Sequence, residues 1–185
     1  MMHEDFIRIG AQASLRLIMP RPAILVISSD LSGKVNGMTA AWTTPLSHNP
    51  PLVGVSISPK RYTYQLIKES HDFTLNVLSV NYVRQVNFLG TVSGRNRDKI
   101  RESGLTLSGS RIVRAPHVLE ALAVLECIVE NEVKAGDHNL FIARVVDAYV
   151  KNNTFEETYK PNKAKILMHL GGSCYVTLAD ELIEL

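Results

Sequence analysis

Four stretches of the chain carry residue types that can do chemistry. The first is Ser56-Ile57-Ser58-Pro59-Lys60-Arg61-Tyr62-Thr63. An apolar run ends there, the chain turns at Pro59, and helical spacing begins at Tyr62. Free amides at a helix start, with the Arg61 guanidinium and the hydroxyls of Ser58 and Thr63, make a phosphate site. Each charge-assisted hydrogen bond is worth about 1.5–3 kcal/mol net, so a few of them account for much of a micromolar affinity, about 8 kcal/mol. An ordinary helix cap with solvated Lys60 and Arg61 accounts for the same residues. The second stretch is Asn36-Gly37-Met38-Thr39-Ala40-Ala41-Trp42-Thr43-Thr44-Pro45-Leu46-Ser47. Small residues on a strand let a flat ligand approach the backbone. Backbone N–H and C=O groups then serve a ring with alternating donors and acceptors. A plain strand with a core tryptophan is the competing reading. The third, Ser93-Gly94-Arg95-Asn96-Arg97-Asp98-Lys99, is basic and runs from a turn into a helix. It either closes over the same phosphate or stands solvated. The fourth is Gly136-Asp137-His138, between two long β-rich runs. Histidine charges near neutral pH. In a loop it meets a substrate, the edge of a cofactor, or only water.

The elements that must position these residues are mostly strands. Gln12 to Ile18 reads as a short helix, stopped by Pro20 and Pro22. Ala23 to Ser28 is a continuous apolar run, the pattern of a buried strand. Asp30 to Lys34 is a turn, so Val35 to Thr43 forms a hairpin with the first strand. Leu52 to Ser58 and Phe73 to Val77 are further strands. Helices are expected over Tyr62 to Ser70, Val80 to Leu89 and Asn96 to Ser103, the last with Gly104 just beyond its end. Ala121 to Val133 and Leu140 to Val150 form a long hairpin with Lys134 to Asn139 as its loop. Lys165 to His169 is the last strand. Strands with few βαβ units predict a mainly β fold: one antiparallel barrel domain over residues 1–185 with peripheral helices.

Bulk properties narrow the function. The chain has 185 residues, 45% hydrophobic and 21% charged, ordinary for a globular domain. A formal charge of +2 gives no general case for nucleic acid or an anionic membrane, so any anion site is local. Cys127 and Cys174 are too few for a zinc site or a disulfide framework, and the histidines are scattered, so no metal is expected. There is no signal-peptide pattern at the N-terminus and no apolar run of ~18 residues, from which a cytoplasmic protein without membrane spans is expected. GxGxxG, GxxxxGK[ST], HExxH and GxSxG are all missing.

Taken in order, the motifs resemble the flavin-reductase-like family of FMN-binding split barrels. They are Arg21-Pro22, Asn36 to Ser47, Asn49-Pro50-Pro51-Leu52-Val53-Gly54-Val55-Ser56, Arg61-Tyr62-Thr63, Asp72-Phe73-Thr74-Leu75-Asn76-Val77, Ser93-Gly94 with Asp98-Lys99, and Gly136-Asp137-His138. His169-Leu170-Gly171-Gly172-Ser173-Cys174-Tyr175 is similar to the flavoredoxin branch. The resemblance implies an antiparallel Greek-key split barrel that dimerises and binds FMN near the subunit interface. Met38, Thr39, Ala40, Ala41, Trp42 and Thr43 would line the ring. Ser58, Arg61 and Thr63 would hold the phosphate, joined by Ser93, Gly94 and Lys99, and Tyr175 would pack near the ring. Asn76 would be a structural hydrogen-bonder of its strand. His138, from its own or the partner chain, would be the catalytic residue on the open side of the flavin. The implied activity is an NAD(P)H-dependent flavin or ferric reductase, with NADH or NADPH as donor and a flavin, ferric complex or redox protein as acceptor. A flavoredoxin-type electron carrier fed by a redox protein is the alternative. A non-catalytic small-ligand barrel is the third reading.

Overall fold

The computed structural model describes residues 6–183. In chain order the elements are α1 (Ala11–Ser14), β1 (Arg21–Pro22), β2 (Ile24–Ser29), β3 (Val35–Ala40), β4 (Thr43–Ser47), β5 (Leu52–Ile57), α2 (Tyr62–Ser70), β6 (Asp72–Val77), α3 (Val83–Thr91), α4 (Lys99–Ser103), β7 (Leu107–Ser108), β8 (His117–Val118), β9 (Ala123–Ala135), β10 (His138–Val150), β11 (Leu167–Gly171) and β12 (Cys174–Thr177). A 3-10 turn over Leu15–Ile18 extends α1, and another over Val80–Tyr82 leads into α3.

Seven strands form one antiparallel sheet in the order β3-β2-β6-β9-β10-β5-β4. Its two edge strands, β3 and β4, are joined by only Ala41 and Trp42. A flat sheet would separate them by six strand spacings, roughly 29 Å. Three Cα–Cα steps reach about 11 Å. The sheet must therefore curl until its edges meet, and the Trp42 carbonyl accepts the Ser56 N–H at 2.9 Å, extending the β4–β5 ladder to the corner. No ladder joins β3 to β5, so the barrel is split along this line. After β5 the chain returns through α2 to place β6 beside β2, a Greek-key connection. The sequence predicts one strand from Val35 to Thr43. It breaks at Ala41 because the chain changes sheet edge there, and small residues suit a straight strand and a barrel corner equally.

Strand β2 is apolar from Ile24 to Ile27 because both of its faces are covered. Val26 points into the barrel with Val55, Ile57, Phe73, Leu75, Cys127 and Phe141. Leu25 and Ile27 point outward, under Val86 and Leu89 of α3 and Ile100 of α4. Asp30 sets the following turn: Oδ1 accepts the N–H groups of Ser32 (2.9 Å) and Lys34 (2.8 Å), and Gly33 takes φ +90°. Burial pushes the Cys127 thiol up to about 12, which makes it a core residue and not a nucleophile.

Buried polar groups fasten the segment from Arg111 to Val118 over β6 and β9. Glu126 is fully buried and accepts the N–H groups of Arg111 (2.8 Å), Ile112 (2.7 Å) and Val113 (3.0 Å). Burial opposes its charge, but these amides and the Tyr149 hydroxyl hold its carboxyl below the usual range. Asn76 donates to the Leu25 carbonyl at 3.2 Å and accepts the Val118 N–H at 2.8 Å, the structural role expected for it.

Further boundaries differ from expectation. The β9–β10 turn is only Gly136-Asp137, because Gly136 adopts φ +65°; His138 thus opens β10, paired with Ala135. Helix α4 starts at Lys99, where the Asp98 carboxylate caps it by accepting the Arg101 N–H at 3.1 Å. The last strand, β11, continues into β12, which short polar-edged periodicity did not reveal. Among the described residues no helix is long and apolar enough to cross a membrane, and no cluster of potential metal ligands is found.

Candidate functional site

The split in the barrel brings three of the four chemically suggestive stretches together. Asn36, Met38 and Ala40 share one face of β3. Ala40 is packed in the barrel core, while Asn36 and Met38 reach the wall of a cavity of about 80 Å³. The start of α2 supplies Lys60 to Thr63, and the end of α3 with the following turn supplies Gly90, Ser93 and Gly94. Lys99 closes it from α4.

Each wall is fixed by a specific contact. Thr63 is buried in the first turn of α2, and its hydroxyl accepts from Asn36 Nδ2 at 2.7 Å. Arg61 is the N-cap residue, its N–H bonded to the Ser58 carbonyl at 2.9 Å. No side chain caps the nine-residue helix α2, so its first amides remain available to an anion. A Cβ on Gly94 would lie 2.0 Å from Asn36 Oδ1, so only glycine lets this turn close on β3. Lys99 is buried, and its ammonium donates to the carbonyls of Leu89 and Val92, both at 2.8 Å. It thereby satisfies the C-terminal end of α3. Burial and the nearby Arg61 guanidinium pull its pKa down to about 8. Among the described residues, no carboxylate lies within 4.0 Å of Arg61 or Lys99. Two cations thus face a small cavity at a helix N-terminus without a counter-charge, which is the chemistry of a phosphate site.

Above the cavity runs the free edge of β3, which pairs with β2 alone. Half of its backbone N–H and C=O groups therefore point into the split. Side chains on this stretch are otherwise engaged: Thr39 donates to the Val86 carbonyl at 2.5 Å, and Ala40 is in the core. A ligand here would meet backbone, as the small residues imply. Thr43 opens β4 opposite Val55. Trp42 is half exposed, and its ring lies 4.9 Å from that of His138, tilted by 40°. His138 Nδ1 pairs with Asp137 Oδ1 at 2.8 Å. An apolar hollow of about 280 Å³ adjoins Trp42, lined also by Leu15, Ile18, Gly54 and Leu140.

Of the expected phosphate residues, Arg61, Thr63, Ser93, Gly94 and Lys99 line the cavity, and Ser58 stands beside it at the end of β5. Tyr175 lines neither hollow. Its hydroxyl donates to Asn87 of α3 at 3.2 Å, and its ring packs 5.2 Å from that of His169. Asn36 and Tyr62 were not singled out by sequence. The signal for Asn36 was a polar side chain at a core-facing position of an apolar strand. Tyr62 gives no such signal, since its role comes from Lys34 and Arg95 stacking on its ring at 5.1 and 5.7 Å.

The profile described as flavin reductase like domain matches residues 15–175. The chain belongs to the flavin-reductase-like family. An uncharacterised protein of Pyrococcus abyssi is 40% identical over 168 residues, covering 90% of this chain and 95% of that one. A crystal structure of an FMN-binding protein from Thermus thermophilus, with bound 1-cyclohex-2-enone, superposes with a TM-score of 0.87 at 29% identity, covering 99% of this chain and all (100%) of that one. The flavoredoxin of Desulfovibrio vulgaris (Miyazaki F) superposes at 0.83 with 28% identity, covering 100% and 97%. The split barrel of this flavin-reductase-like chain is thus a shared architecture.

Proposed function

We propose that the chain binds FMN and passes electrons through it as an NADH- or NADPH-dependent reductase. The observation that carries the reading is the unpaired Arg61–Lys99 pair at the start of α2. It supplies charge and amide donors for the terminal phosphate of FMN, and Thr63 and Ser93 add hydroxyls. The similarity to an FMN-binding protein supports the same ligand. The free edge of β3 from Met38 to Ala41 offers backbone donors and acceptors to the edge of the ring. When bound there, FMN would supply reversible two-electron chemistry, with a nicotinamide as the hydride source. Trp42 covers one end of the split. His138, steadied by Asp137, orients the donor or moves a proton at the open side. The acceptor is a free flavin, a ferric complex or a redox protein.

The exposed apolar side chains of Leu15, Leu17, Ile18, Trp42 and Leu46 support a homodimer that covers the Trp42 side of the split. Similarity to a flavoredoxin supports a second reading, an electron carrier that takes its electrons from a redox protein. Stopped-flow mixing of the FMN-loaded protein with NADH or NADPH separates the two. Rapid bleaching of the flavin with either donor is expected. FMN that stays oxidised with both, yet reduces chemically, would favour the carrier.

A further inference from the structure

A second hollow adjoins the phosphate cavity, with a volume of about 590 Å³. Consecutive residues divide between the two: Val35, Arg95 and Ile100 face the larger hollow, while Asn36, Gly94 and Lys99 face the smaller. The partition is the Tyr62 ring, with Lys34 and Arg95 stacked on it.

The larger hollow has an apolar floor and a cationic rim. Ile100 and Leu107 form the floor with Val35, and Lys34, Arg95, Arg97 and Arg101 form the rim. Its one lining carboxylate, Asp98, is occupied in capping α4, and Arg97 is paired with Glu102. Among the described residues, Lys34, Arg95 and Arg101 have no carboxylate within 4.0 Å. A chain of formal charge +2 has therefore gathered three unpaired cations around one concavity. Its size is that of a small-molecule site. An apolar floor beside a cationic rim fits a base joined to phosphate, and nothing in the flavin reading uses it.

We propose that this hollow binds an adenosine phosphate, carried either by the distal half of a dinucleotide flavin or by the nicotinamide donor. The link to these two carriers rests on the flavin reading; the nucleotide site itself does not. Phosphate contacts the rim, with Arg101 and Lys34 as principal cations, and the adenine lies on the Ile100–Leu107 floor.

Calorimetric titration with ADP, FMN and FAD tests this on wild type, Arg101→Glu and Lys34→Glu. Both side chains are exposed, and thermal melting verifies that each variant is folded. ADP is expected to bind saturably, and each charge reversal to weaken it about tenfold to a hundredfold. FAD binding about tenfold tighter than FMN, with the advantage lost in Arg101→Glu, identifies a dinucleotide flavin. Equal FMN and FAD affinities, with ADP competing against NADPH on the FMN-loaded protein, identify the donor. Absence of ADP binding with equal flavin affinities overturns the proposal, as does ADP binding that neither substitution weakens. If neither flavin binds, the flavin reading falls, and the ADP titrations still decide the hollow: binding lost on charge reversal upholds it, and no binding overturns it.

Discussion

Gly94 shows how little room the phosphate cavity leaves. Its missing side chain is the space that Asn36 Oδ1 occupies, 2.0 Å from where a Cβ would stand. Gly94→Ala should displace Asn36, break its bond to Thr63 and cost about 1–3 kcal/mol. A urea midpoint equal to wild type would show that the turn yields freely. His138 lies against Trp42 and is not among the residues that line the cavity. His138→Ala should retain FMN and lower turnover about a hundredfold if the imidazole moves a proton; lost FMN binding would place His138 in the wrong role. Lys99 makes the site sensitive to pH. Its ammonium loses a proton near pH 8, against an ordinary value of 10.5. The folded state therefore holds fewer protons than the unfolded chain between these values, so this residue's contribution to stability rises with pH across the window. Phosphate binding needs the charged form, so FMN affinity should fall as pH rises through 8 while the empty protein does not weaken. Flat affinity from pH 7 to 9.5 would remove Lys99 from the grip.

At the scale of elements, the fold depends on carboxylates as much as on apolar faces. Glu126 is the only fully buried acid among the described residues, and it fixes the Arg111–Val113 amides above β9. Glu126→Gln leaves a buried NH₂ facing those donors and should cost about 3 kcal/mol or more. The native carboxylate has a lowered pKa, so its stabilisation is present above the unfolded value of 4.5 and is lost as pH falls through the folded one. Acid unfolding monitored by circular dichroism should flatten in the variant. An unchanged acid transition would mean that other groups govern it. Asp72, whose carboxyl burial raises, works in the opposite direction and does not explain acid lability.

For the whole molecule, closure is the organising event. The hairpin of β2 and β3, helix α2 and the long β9–β10 pair could be read from apolar runs, Asp30-Gly33 turn chemistry and alternation. A barrel was legible from the order of the elements, but the place where it turns its corner was not, because no local property of Ala41 or Trp42 tells a corner from a straight strand. The cavity followed the same rule. Arg61 and Thr63 were proposed from the local chemistry of a helix start, and Gly94 and Lys99 from motif order, whereas Asn36 and Tyr62 act through partners far along the chain, Thr63, Lys34 and Arg95. The hairpin at Gly136 was read too long because one positive φ shortens it. Exposed Leu17 and Ile18, at 71% and 60%, extend the apolar face beside Trp42. Ile18→Glu should turn a dimer into monomer in sedimentation experiments; a wild-type monomer at micromolar concentration would refute the dimer.

In the proposed function, Arg61 and Lys99 hold the phosphate of a flavin. This grip is tested most directly by fluorescence titration of wild type and Arg61→Ala with FMN and with riboflavin, which lacks the phosphate. Wild type should prefer FMN strongly. Arg61→Ala should weaken FMN about tenfold to a hundredfold and leave riboflavin nearly unchanged. Equal losses for both ligands, or a wild type indifferent to the phosphate, would contradict the account.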